Sequence, residues 1–185
     1  MDQRALVARA GQGDHDAFAM LATAASARLD AAARLILRDP ELARDAVQNT
    51  LVRAWRDLPG LRDPDRFDAW LHRLLVNSSL DEARRRRRRP IEVELLNNDA
   101  PAPGDSSRHL ADRDLVERAL IRLDPEHRAL VVLHYYLGYA LPDAATSLGI
   151  SLPAAKSRLH RAMLGLRRSM SADGPAVPAE GGGTA

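Results

Sequence analysis

Cysteine is absent from this chain of 185 residues, which rules out disulfides, thiolate metal sites and thiol redox sensing. Aromatic residues make up only 4% of the chain, and both tryptophans, Trp55 and Trp70, fall on apolar helical stripes. There they read as core side chains rather than stacking platforms. No apolar run approaches the roughly 20 residues of a membrane span, and the N-terminus lacks the apolar centre of a signal peptide. The expectation is a soluble, cytoplasmic protein with no stable membrane insertion. Catalytic chemistry is equally thin. Gly11-Gln12-Gly13 has no preceding strand and no third glycine to make a nucleotide fingerprint. The histidines show no metal-binding spacing, and no acid sits in a recognisable catalytic setting. No enzyme activity, cofactor, metal or small-molecule substrate is expected.

What the chain has is unevenly distributed charge. The formal net charge is only +2, yet from His72 to Arg89 seven arginines face two acids, Asp81 and Glu82. From Ser151 to Met170 there are five basic residues and no acid. Two separated basic patches suit a long polyanion better than a small acidic ligand.

Composition divides the chain. Up to Arg89 it is rich in Ala, Leu and Arg at helical spacing, and the period returns near residue 113. Residues 90–112 lie between, carry Pro, Gly, Ser and Asn, and read as a flexible linker. The 22 residues from Pro90 to Ala111 could reach about 70 Å when stretched. Residues 171–185 read as a disordered tail that cannot bury a core. The expected architecture is all-α: two small helical domains, 1–89 and 113–170, joined by that linker.

In the first domain Val47, Leu51, Ala54, Trp55 and Leu58 form one helical stripe, and Asp45, Gln48, Asn49, Val52 and Arg56 lie opposite. The loop "LPGLRDPD" follows, and then a second helix with Phe67, Trp70, Leu71, Leu74, Leu75 and Ser78 on one side. The run Arg84 to Arg89 continues that helix in register until Pro90, which cannot extend it. One or two cations would satisfy the helix dipole. Six repel one another, and the excess calls for phosphate.

The second domain contains a helix-turn-helix. Asp124 caps a helix with Pro125 at its first position, Pro142 starts a short helix, Gly149-Ile150-Ser151 makes the turn, and Ser151 caps the last helix. In that helix Ala155, Leu159, Ala162 and Leu166 face the core. Lys156, Ser157, His160 and Arg161 project from the other side, as in a major-groove reading helix, and Arg158 lies on a flank suited to phosphate.

Together "RDAVQNTLVRAWR", "FDAWLHRLLVNSSLDEARRRRRR" and "GISLPAAKSRLHRA" resemble the bacterial RNA polymerase sigma factors of the extracytoplasmic-function class. The resemblance covers about 14–89 and 113–168. It implies a transcription initiation factor that binds core RNA polymerase and directs it to promoter DNA. The first domain would hold the polymerase clamp and open the −10 element, and the second would read the −35 element. The clamp-binding residues would be Asp45, Gln48 and Asn49, the last standing where the family usually has glutamate. The loop Gly60 to Arg66 matches the family's pocket for a flipped base, with Leu61 in place of a common aromatic and Arg62 beside it. Asn77 matches a family asparagine near that pocket, and Arg84, Arg85, Arg86 and Arg87 would hold −10 DNA. The −35 residues would be Lys156, Ser157, Arg158, His160 and Arg161. An anti-sigma protein is a common antagonist in the family. Two other readings of the residues stay open: a stand-alone helix-turn-helix repressor or activator, and a module whose basic runs hold an acidic protein.

Overall fold

The computed structural model describes residues 2–88, 120 and 123–172, with side chains through Arg168. The expected linker and most of the expected tail lie outside these residues. Among them the chain is helical throughout, in the order α1 (Gln3–Gly11), α2 (His15–Leu37), α3 (Pro40–Asp57), two 3₁₀ turns (Leu58–Gly60 and Pro64–Arg66), α4 (Phe67–Arg88), α5 (Pro125–Val131), a π-helical turn (Val132–Tyr136), α6 (Leu141–Ser147) and α7 (Leu152–Ala172).

Local chemistry sets the helix starts. Asp14 accepts from the Ala17 N–H at 3.0 Å and Asp124 from the His127 N–H at 2.9 Å. Asp39 accepts from the Glu41 and Leu42 N–H groups, with Pro40 in the first helical turn. The end of α2 is less usual. Its C-cap, Arg38, sits in the left-handed region at φ 58°, and its N–H bonds the Arg34 carbonyl. The last carbonyls of a helix have no partner within it, so α2 leaves acceptors there for another element.

In the first unit α3 packs on α2 and α4 through Ala43, Ala46, Thr50 and Ala54, all fully buried, while Val47, Leu51 and Trp55 are half-buried at the edge. The buried stripe is thus rotated from the one read off the apolar spacing. Small side chains let the backbones approach, and the larger ones close the flanks. Trp55 fills such a flank against Phe18 and His15, with ring centroids 5.1 and 4.4 Å away. The expected stripe of α4 is buried at Phe67, Leu71, Leu75 and Ser78.

The π turn ends at Leu137, and Gly138 follows at φ 76°, a value L-residues with a Cβ rarely adopt. The Tyr139 N–H then returns to the Leu133 carbonyl at 3.0 Å. This reversal aims Tyr139 at the first unit. The two units are in contact, with α5 seated on α2 and α4 and the π turn on α2. One continuous buried cluster runs from Leu29, Ile36, Leu75 and Val76 to Leu130, Val132 and Leu133. Composition indicated two units on a tether and gave no sign of this packing.

Candidate nucleic-acid interface

Helix α7 has two contrasting faces. Gly149, at φ 66°, makes the turn before it, and the Ser151 hydroxyl accepts from the Ala154 N–H at 3.3 Å. Ala155, Ala162 and Leu166 are buried and Leu159 is half-buried, while Lys156, Ser157, His160 and Arg161 are exposed. Lys156 is the chain's only lysine. Arg158 is half-buried, its guanidinium 3.8 Å from the Glu126 carboxylate. Lys156 and His160 also edge a groove of about 330 Å³ lined by Tyr135, Leu159, Met163 and Leu164.

The arginine run occupies the last turns of α4 as a helix through Arg88, each side chain about half-exposed or more. Part of the run is answered from within the chain. Arg84 lies 3.5 Å from Asp81 and 3.7 Å from Glu126. Arg85 bonds Glu82 at 2.8 Å, and Arg86 bonds Asp39. Arg87 borders a small crevice with Pro125 and Glu126. The Arg84 pairs, open to water on both sides, are worth about 0–1 kcal/mol, so a phosphate chain can displace their carboxylates at little cost, whereas Arg85 answers a buried carboxylate.

Leu61 and Arg62 sit between the two 3₁₀ turns. Leu61 is half-buried against the core and Arg62 is exposed. The loop is braced from α1, through Arg4 to Asp65 at 3.2 Å and Gln3 to Asp68 at 3.0 Å. Asn77 is half-buried on α4.

On the outer face of α3, Asp45, Gln48 and Asn49 are exposed beside Val52, an apolar side chain 61% exposed on an otherwise polar surface. Asn49 is not isolated there. Its amide donates to Glu82 Oε1 at 2.9 Å, the oxygen that also accepts from Arg85. Glu82 is only 7% exposed, so a glutamate at position 49 would stand opposite a buried carboxylate. The amide donates there, where a second carboxylate would repel.

Sequence reasoning missed Glu82, Glu126 and the contacts between the units, His72 with Tyr139 and Arg128 with α2. Glu82 was visible only as one of two acids among arginines. The others pair residues far apart in the chain, and no local spacing signals them.

Residues 21–89 match the family Sigma-70 region 2, and residues 113–166 match Sigma-70, region 4. The ECF RNA polymerase sigma factor SigM of Mycobacterium tuberculosis is 35% identical over 156 residues, 84% of this chain and 78% of that protein. The RNA polymerase sigma factor CnrH of Cupriavidus metallidurans is 34% identical over 182 residues, 92% of this chain and 95% of that protein. In its complex with the cytosolic domain of CnrY, CnrH superposes with a TM-score of 0.65, covering 92% of this chain and 98% of its own at 31% identity. The sigma factor RpoE of Bartonella quintana, in complex with the anti-sigma factor NepR, gives a TM-score of 0.66 at 26% identity over 84% of this chain and 98% of its own.

Proposed function

Because this chain belongs to the extracytoplasmic-function class of RNA polymerase sigma factors, and is a transcription initiation factor, we propose how its surfaces divide the work of initiation. Asp45, Gln48 and Asn49, with Val52 beside them, dock on the polymerase clamp. Lys156, Ser157, His160 and Arg161 read the −35 element in the major groove, and Arg158 holds a flanking phosphate. Arg84 to Arg87 grip the backbone of the −10 element. The loop carrying Leu61 and Arg62, with Asn77 nearby, receives a base that has left the stack. Leu61 offers an apolar wall rather than an aromatic face, so capture there relies less on stacking.

Promoter opening on this scheme draws on binding free energy alone, and the chemistry of RNA synthesis belongs to the polymerase. The chain acts in the cytoplasm, where that enzyme and its template are. A protein antagonist of the anti-sigma kind, as RpoE of Bartonella quintana has in NepR, is part of the same proposal.

The observation that carries this reading is the split of α7, with Ala155, Ala162 and Leu166 in the core and Lys156, Ser157, His160 and Arg161 in solvent behind a turn made by Gly149. It is tested by footprinting the reconstituted holoenzyme on its promoter. With Lys156→Ala and Arg161→Ala together, upstream protection weakens by about tenfold or more in protein concentration, while binding to core polymerase is unchanged. Equal loss of both would argue against a −35 role separate from polymerase binding.

A further inference from the structure

The loop assigned above to a base that has left the stack is held from outside the segment that matches region 2. That match begins at residue 21, and α1 precedes it. Asp2 caps α1 by accepting from the Arg4 N–H at 3.2 Å. Leu6, Val7 and Ala10 are buried, and the helix lies against both of the 3₁₀ turns that flank Leu61 and Arg62. The loop's own bonds are short in range. The Leu61 N–H bonds the Leu58 carbonyl at 2.9 Å, and the Asp65 and Arg66 N–H groups bond Asp63, each at 3.1 Å. They shape each turn separately, and α1 touches both.

The buried face fixes where the first turn of α1 stands, and two neighbouring polar side chains reach out from it. Arg4 donates to the Asp65 carboxylate at 3.2 Å, and the Gln3 amide to the Asp68 carboxylate at 3.0 Å. Asp65 belongs to the second 3₁₀ turn and Asp68 to the first turn of α4. Adjacent residues of one helix thus tie the loop to the helix that carries Asn77.

We infer that Gln3 and Arg4 are positioning residues for recognition of the −10 base: through Asp68 and Asp65 they set how the loop with Leu61 and Arg62 stands against α4, and so which base is accepted there. The inference rests on the assignment of that loop and Asn77 to a flipped base. An aromatic face tolerates any base, because every base has a face to stack. Leu61 offers none, which leaves selection to fit and to hydrogen bonds at the base edge, and these weaken steeply with distance and angle. Selection of that kind needs a loop held in one place. The Arg4 and Asp65 side chains are 65% and 62% exposed, so their pair adds little to stability. Its removal leaves the fold intact and frees the loop.

The test uses the full chain with Gln3→Ala and Arg4→Ala together, which cuts both ties, and with Leu61→Ala, which alters the pocket itself. Amide hydrogen exchange on the unbound chain reads the brace without polymerase or DNA. In the double variant, exchange at Leu61 and Arg66 is expected to rise by about threefold, with Leu71 and Leu75 in α4 unchanged. Binding of the reconstituted holoenzyme reads the pocket, on forked DNA from a promoter mapped by run-off transcription, with each of the four bases in turn at each −10 position. The preference for the best base over the next is expected to fall by about threefold in the double variant, at the position where Leu61→Ala also changes it, and to be retained in Arg4→Lys. If Arg4 served only as a phosphate contact, all four bases would weaken equally. That result, with Leu61→Ala still changing the preference, would overturn the inference and leave the pocket standing, as would unchanged exchange at Leu61 and Arg66. A preference unmoved by Leu61→Ala at every position would remove the pocket assignment, and the inference with it.

Discussion

Glu82 sits 7% exposed between two surfaces with different proposed partners. Asn49, from the face assigned to polymerase, and Arg85, from the run assigned to DNA, both donate to its Oε1. Burying a carboxylate costs free energy unless such donors answer it. Asn49→Glu removes one donor and adds a like charge. The expected outcome is a loss of about 1–3 kcal/mol in urea unfolding, with the helical content of the folded state retained. Stability equal to that of the parent would mean that Glu82 does not depend on the amide. Arg128 shows the same principle for a cation. Burial lowers its pKa to about 10, with the nearby charge of Arg38 adding to the effect, and it remains charged at neutral pH because carbonyls take the place of water.

At the scale of the elements, α4 and the segment that follows the π turn meet through His72 and Tyr139. Burial, and after it the charge of Arg28, hold the His72 imidazole below its ordinary 6.5, while Asp68 pulls it back upward. Burial and Asp68 raise the Tyr139 hydroxyl to about 12, so it stays protonated and can donate. A histidine that binds its proton less readily when folded favours the unfolded chain in acid. Its contribution is intact above the unfolded value and is lost as pH falls from there toward the lower folded value. The urea midpoint is therefore expected to drop between about pH 7.5 and about pH 5.5, and the drop to shrink in His72→Gln. An identical drop in the variant would assign the effect to other groups. The elements themselves were legible in the residues. Asp124-Pro125 and Gly149-Ile150-Ser151 signalled a helix start and a turn through rules that act within a few residues, and the arginine run continues α4 in register through Arg88, the expected end at Pro90 lying outside the described residues. The rotation of the α3 stripe was not legible, because apolar spacing favours Val47, Leu51 and Trp55 while packing favours the smaller Ala43, Ala46 and Thr50.

For the molecule as a whole, the spacing of the basic patches along the chain suggested two anchors on one polyanion, and Lys156, Ser157, His160 and Arg161 are exposed. The contact between the units was invisible beforehand. It depends on an unpaired carbonyl at the end of α2, a left-handed glycine before Tyr139 and an acid two residues beyond a helix cap, none of which announces a distant partner. No helix among the described residues is long and apolar enough to cross a membrane. The most direct measurement of the chain's role is run-off transcription with purified core polymerase on a genomic template library, with RNA 5′ ends mapped. Addition of the chain is expected to create start sites that share an upstream element, and Lys156→Ala with Arg161→Ala to remove them. Start sites that are the same with and without the chain would contradict it.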